Sequence, residues 1–83
     1  MKHARRDYDR IQDPDGKIGK DEPVFLLRAQ DLAAPAAVDA WVEAAIELGA
    51  DENIVRAACQ QAINMRLWQE NNGAKTPDMP EGA

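Results

Sequence analysis

Two helical patterns joined by a short break dominate the sequence between Pro35 and Trp68. In the first pattern, apolar side chains recur three and four residues apart, as on one face of a helix: Val38, Trp41, Val42, Ala45 and Ile46. The second pattern has the same spacing: Ile54, Val55, Ala58, Ala62 and Met65. Because a short connection favours antiparallel neighbours, we predict a mostly α fold. The predicted fold is a small helical bundle built on a helical hairpin, with helices at about 35–48 and 52–71.

The residues that flank each pattern support these helix boundaries. Pro35 suits the first turn of a helix, where its missing N–H group costs nothing. Gly49 and Gly73 follow the two patterns, and glycine commonly ends helices because it adopts the left-handed conformation. Asp51 is a good N-cap for the second helix, and Glu52 adds a negative charge that suits the helix dipole.

The segment at 23–30 is ambiguous, because a short continuous apolar run is compatible with a helix or a strand. Val24 and Phe25 favour a strand, whereas Pro23 would suit a helix start and the residues from Leu26 to Gln30 favour a helix. We narrowly prefer a short helix. If the segment is a strand, its expected partner is either Lys17–Ile18 or the same strand of a second copy.

Length and charge indicate one domain with polar ends. Of the 83 residues, we assign 1–12 to a basic flexible head, 13–72 to a single helical domain and 73–83 to an extended or disordered tail. The net charge is −5. An acidic body repels nucleic acid and anionic membranes, so we expect neither as a direct partner.

The sequence offers little catalytic chemistry. It has no serine, and its only histidine, His3, lies in the basic head. The single cysteine, Cys59, falls within the second helical pattern, where we expect a small buried apolar residue and not a nucleophile. We therefore predict a non-enzyme without a cofactor. The sequence has no signal peptide or long apolar run, so we expect a cytoplasmic protein.

A turn at residues 13–16 partly matches a calcium-binding loop. If the loop ends at Glu22, Asp13, Asp15 and Glu22 fall at its third, fifth and twelfth positions. The first position would be Ile11, which has no side-chain oxygen. An ordinary polar turn is therefore the preferred interpretation. A calcium-binding regulator that uses 13–22, with Asp13, Asp15 and Glu22 as weak candidate ligands, remains an alternative.

An acidic row follows the first helix. Asp39, Glu43 and Glu47 recur every four residues, so their side chains stand one turn apart. A solvated helix face is the simplest explanation. The row could also imitate a series of phosphates, which makes an acidic DNA-mimic inhibitor of a nucleic-acid-binding enzyme an alternative function.

The second helix carries more apolar surface than one neighbouring helix can cover, because Ile63, Leu67 and Trp68 widen its stripe. This surplus predicts a homodimer or another protein-binding surface. Trp41 and Trp68 are expected in the core or in a dimer interface, as the large residues of an alanine-rich hairpin.

The run DEPVFLLRAQD, the Trp41 helix and the closing WQENNGAKTPDMP resemble short uncharacterised proteins encoded by bacteriophages and prophages. The resemblance covers about residues 7–80 and implies a protein that binds and modulates a bacterial host protein. Together with the residues above, it predicts a small acidic protein–protein interaction module. The candidate binding residues are Asp39, Glu43, Glu47, Ile63, Leu67 and Trp68.

Overall fold

The computed structural model describes residues 2–3 and 13–78. Along this part of the chain, the elements are β1 (Lys2–His3), β2 (Pro23–Val24), α1 (Ala34–Glu47) and α2 (Glu52–Asn72). The two helices pack against each other. The prediction of a mostly α fold built on a helical hairpin is therefore confirmed, with helix boundaries that agree to within one residue.

The described residues belong to two compact units, one of which is Leu27–Pro77 and contains both helices. The other contains β1 and β2, which pair in parallel with Lys2 opposite Pro23 and His3 opposite Val24. The preference for a helix at 23–30 was wrong. β1 supplies hydrogen-bonding partners to β2, and neither Lys17–Ile18 nor a second copy is needed.

The structure describes only part of the predicted head and part of the predicted tail. Apart from Lys2 and His3, the basic head at 1–12 lies outside the described residues. The same holds for the end of the predicted tail, from residue 79 onwards. The division into head, helical domain and tail therefore stays a prediction.

Small side chains form most of the seam between α1 and α2. The buried apolar residues among those described are Ala34, Val42, Ala45, Ala62 and Met65. Ala62 retains 1% of its exposure and Met65 retains 8%, and no large side chain in the described part of the chain is fully buried. Alanines allow a close helix approach, but they bury little apolar area. The hairpin therefore has a thin core.

The helix ends follow the local chemistry of the sequence. The Asp51 side chain accepts a hydrogen bond from the Asn53 backbone N–H at 2.7 Å, so Asp51 is the N-cap of α2, as predicted. Gly49 and Gly73 have φ angles of 76° and 80°. These left-handed values explain why glycine follows each helix.

The open end of the hairpin is closed by a short parallel pairing. The Leu32 N–H donates to the Lys75 carbonyl at 2.9 Å, and the Lys75 N–H donates to the Gln30 carbonyl at 2.8 Å. From α2, the Gln69 side-chain amide donates to the carbonyls of Ala29 at 2.9 Å and Asp31 at 3.0 Å. These bonds tie the segment before α1 to the end of α2.

Three residues are more exposed than predicted. Trp41 retains 48% of its exposure and Trp68 retains 42%, so neither fills the core of a single chain, and their predicted place in a dimer interface stays a prediction. Cys59 is also exposed, and its predicted burial was wrong. The physical reason is that, within Leu27–Pro77, each helix packs against one other helix. The alanine-rich seam covers one narrow stripe, and side chains beside that stripe stay in contact with solvent.

Candidate protein-interaction surfaces

The acidic row of α1 is exposed and is linked to α2 by one ion pair. Asp39, Glu43 and Glu47 are all exposed. The Arg66 guanidinium donates from Nη2 to Asp39 Oδ2 at 2.6 Å, and both side chains are half exposed. This hydrogen bond raises the pKa of Arg66, and the charge of Asp39 acts in the same direction. Arg66 therefore stays protonated, and its positive charge compensates the first acid of the row.

The same ion pair brings predicted apolar binding residues next to the acidic row. Ile63 precedes Arg66 by three residues, so their side chains are neighbours on α2, whereas Leu67 lies about 100° further round the helix. On α1, Ile46 follows Asp39 by two helical turns and is 60% exposed. We call this surface the acidic face; it comprises Asp39, Glu43, Ile46, Glu47, Ile63 and Leu67. The ion pair thus brings two of the six predicted binding residues, Asp39 and Ile63, close together.

Trp68, the sixth predicted residue, lies elsewhere. Together with Gln30, Asn72 and Lys75 it lines a hollow of about 330 Å³ at the end of α2. Its position follows from helical geometry, because one residue step rotates the side chain by about 100° away from Leu67. The structure therefore separates Trp68 from the acidic face.

A second apolar surface lies beside the α1–α2 seam. A groove of about 320 Å³ is lined by Leu27, Ala37, Val38, Trp41, Ala58 and Gln61. We call it the alanine groove, because Ala37 and Ala58 leave open space beside the Trp41 ring. The sequence analysis did not identify it as a site. The sequence signal that could have predicted the groove is the four-residue spacing of Ala37 and Trp41. This spacing puts both residues on a face of α1 that carries no charged side chain.

The turn at 13–16 uses the predicted calcium ligands for its own structure. The Asp13 carboxylate accepts hydrogen bonds from the Lys17 and Ile18 backbone N–H groups, each at 3.0 Å. Glu22 accepts one from the Gly19 N–H at 3.1 Å. Within residues 2–3 and 13–78, no group of three His, Cys, Asp or Glu side chains could hold a metal ion. The calcium alternative gains no support from this geometry.

The ion pair also bears on the DNA-mimic alternative. A phosphate mimic needs a continuous series of uncompensated negative charges. Arg66 compensates Asp39, and the exposed apolar side chain of Ile46 lies one turn after Glu43. A mixed charged and apolar surface is more typical of protein–protein contacts.

The helices do not have the properties of membrane spans. Across the described ranges, neither helix combines the length and the hydrophobicity that crossing a bilayer requires. α2 is the longer of the two at 21 residues, but charged and amide side chains interrupt its apolar positions. The structure therefore supplies no candidate transmembrane helix.

Comparisons with known proteins gave no relatives. No family model matches the chain. No curated protein matches its sequence, and no solved structure matches its fold. Functional inference therefore depends on the surfaces described above.

Proposed function

We propose that this protein is a small acidic protein–protein interaction module that binds a bacterial protein through the acidic face. The observation that carries the proposal is the ion pair between Asp39 of the acidic row and Arg66 of α2, which lies one turn after the exposed Ile63. Exposed apolar side chains beside acids favour a partner that is apolar and basic. The apolar contacts would supply affinity, and the acids would supply orientation and association rate.

The charges and the exposed apolar side chains of the acidic face favour one kind of partner segment. Glu43 and Glu47 pair with none of the described residues, so their charges are available to Lys or Arg of a partner. Ile46, Ile63 and Leu67 are each 51–60% exposed and would accept apolar side chains. An amphipathic helix with apolar residues at every third or fourth position and basic residues beside them has this complementary pattern.

The proposed action needs neither catalysis nor a cofactor. The module would occupy a surface of its partner and thereby inhibit it or recruit it. The resemblance to phage and prophage proteins supports a bacterial host factor as the target. A single unpaired cysteine is compatible with the reducing bacterial cytoplasm, where we place the protein. We also propose that it acts as a homodimer, since its core is thin.

A pull-down from bacterial lysate followed by titration of the captured protein tests the proposal. The test variant carries Glu43→Gln and Glu47→Gln, which remove two charges from the acidic face. The matched control carries Asp15→Asn and Asp21→Asn, which remove two exposed acids from the unit that contains β1 and β2. A loss of affinity of about tenfold or more is expected for the test variant alone, equivalent to about 1.4 kcal/mol.

An Ile63→Gln variant tests the apolar half of the face and should also weaken binding. Equal binding by the wild type and both acidic-face variants would contradict the proposal. Competition by duplex DNA, with loss of binding in the charge variant but full binding in Ile63→Gln, would favour the DNA-mimic function instead.

A further inference from the structure

A broad part of the hairpin surface next to the alanine groove is apolar and carries no charge. Ala37, Trp41, Ala44 and Leu48 follow each other at intervals of three or four residues along α1. On α2, Ile54 and Ala57 lie one turn before Ala58 and Gln61, which line the groove. We call this surface the uncharged face, and its principal residues are Ala37, Trp41, Ala44, Leu48, Ile54 and Gln61.

The exposure of these side chains is high for apolar residues. Leu48 retains 87% of its exposure, Ile54 retains 51% and Trp41 retains 48%. Monomeric proteins rarely expose contiguous apolar surface unless it has a binding role. By contrast, the buried hydrophobic residues in the described part of the chain are five, of which three are alanines. The hairpin therefore buries little apolar area and leaves much of it exposed.

We infer that the uncharged face is the surface through which two copies of this chain associate, forming an antiparallel four-helix bundle in which Trp41 of each copy packs into the alanine groove of the other. The inference deepens the proposed function, because it assigns a surface to the dimer and leaves the acidic face to the other partner. In a two-fold interface the same patch serves both copies, so a groove and the large side chain that fills it can lie on one face.

The size of the face matches the requirement of a small dimer. α1 has 14 residues and is therefore about 21 Å long, and two adjacent helices are about 20 Å wide. A corrugated surface of this size offers on the order of 600 Å² of accessible area per copy, so that two copies would bury about 1,200 Å². This total reaches the lower limit for specific interfaces.

Charge selects the uncharged face over the acidic face for self-association. Each chain has a net charge of −5, so two copies repel each other in general. Contact through the acidic face would bring Glu43 and Glu47 of one copy towards the same acids of the other. The uncharged face has no ionisable side chain among its principal residues, and it requires no charge to be desolvated.

Sedimentation equilibrium of the full-length protein tests the inference with a matched pair of substitutions. Ala44→Glu places a charge in the proposed interface. Ala36→Glu makes the same change on the part of α1 that carries Glu43, which follows Ala36 by two turns. Both alanines are exposed, and glutamate is a good helix former, so each isolated hairpin should tolerate its substitution.

The wild type and Ala36→Glu should form dimers, and Ala44→Glu should raise the dissociation constant by about tenfold or more. A wild type that stays monomeric over the concentration range studied, or an Ala44→Glu variant that dimerises like the wild type, would overturn the inference. If Ala44→Glu fails to fold, the wild-type melting temperature decides. It should rise with protein concentration between about 5 and 500 µM, and a constant value would overturn the inference.

The two proposals can fail separately. A folded Ala44→Glu monomer that still binds the captured bacterial protein would support the dimer surface and the acidic face as independent sites. If the wild type dimerises as expected but the acidic-face variants bind normally, the dimer inference stands and the proposed function fails.

Discussion

Arg66 and Asp39 form a hydrogen-bonded ion pair that joins α2 to α1 across the outside of the hairpin, with 2.6 Å between Nη2 and Oδ2. The two residues are 27 positions apart in the chain, and both side chains are half exposed. The pair therefore fixes the lateral register of the two helices on the side that carries the acidic face. It also determines which acids of that face remain uncompensated.

Removing this ion pair should change the stability of the fold only slightly, but it leaves the negative charge of Asp39 uncompensated. Because solvent screens exposed ion pairs, Arg66→Gln should lower the melting temperature slightly at low salt and by less at about 1 M NaCl. Thermal denaturation monitored by circular dichroism at both salt concentrations measures the difference. A control variant, Lys17→Gln, removes one positive charge from an exposed residue outside the helices. A large, salt-independent loss for Arg66→Gln would contradict the electrostatic interpretation.

This ion pair also makes a prediction for pH. The folded state raises the pKa of Arg66, so the stability it contributes through this proton is fully present below the pKa of the unfolded chain. It is lost only as the pH rises through the folded-state pKa, which lies in the strongly alkaline range. Between neutral pH and about pH 10, the stability difference between wild type and Arg66→Gln should therefore stay constant.

The N-cap of α2 should contribute measurably to folding. Asp51 accepts the Asn53 N–H, and its replacement by alanine leaves that donor without a side-chain partner. Asp51→Ala should lower the free energy of unfolding by about 1 kcal/mol, as is typical of capping residues. Urea denaturation measures the change. Asp51→Ser retains a capping oxygen and should lose much less, whereas an equal loss in both variants would argue against capping.

Gln69 should be more important than other glutamines of α2. Its side-chain amide is part-buried and donates to two carbonyls, those of Ala29 and Asp31. Gln69→Ala leaves both acceptors without this donor and should cost about 1–3 kcal/mol. Gln60→Ala is the matched control, because Gln60 is exposed and its side-chain amide donates to Asn64, one turn away. Similar denaturation midpoints for the two variants would contradict the prediction that Gln69 stabilises the fold by linking α2 to the segment before α1.

The core should be sensitive to the loss of its largest buried side chain. Met65 is 8% exposed and is the largest of the buried apolar side chains of the helical hairpin. Met65→Ala should cost about 2–5 kcal/mol, a large part of the stability of a small domain. Leu67→Ala removes a side chain that is 52% exposed and should cost less than about 1 kcal/mol. Equal losses would show that the hairpin seam is not the core.

Calcium should not stabilise the protein. The two Asp13 carboxylate oxygens already accept the Lys17 and Ile18 N–H groups, and calcium would have to displace these bonds. Adding about 1 mM CaCl₂ should leave the melting temperature unchanged, because only a ligand that binds the folded state raises it. Magnesium at the same concentration is the control for ionic strength. A rise with calcium alone would restore the calcium alternative.

Local signals in the sequence predicted the helices because each signal acts within a few residues. The glycines at 49 and 73 and the cap at Asp51 fixed the helix ends. The position of β2 could not be obtained in this way. Its partner, β1, is about 20 residues earlier in the chain, and only that distant pairing makes Pro23–Val24 a strand.

Burial was harder to predict than helix position. Trp41, Cys59 and Ile46 fall on apolar positions of their helices, and periodicity alone would bury all three. Their exposure depends on how many neighbours each helix has, which periodicity does not specify. The exposure of the acidic row could be predicted, because its four-residue spacing puts Asp39, Glu43 and Glu47 outside the apolar stripe of α1. The place of Trp68 beside Gln30 and Lys75 could not be predicted, because it depends on the pairing of distant segments.

The parallel pairing between Gln30–Leu32 and Lys75 has a mechanical consequence. When the two ends of the helical unit are pulled apart, the force enters one segment at its N-terminal side and the other at its C-terminal side. Parallel segments loaded in this direction slide along each other, so both backbone hydrogen bonds bear the force together and do not break one after the other. Both backbone hydrogen bonds of the pairing must therefore break in shear before tension reaches the thin seam between α1 and α2.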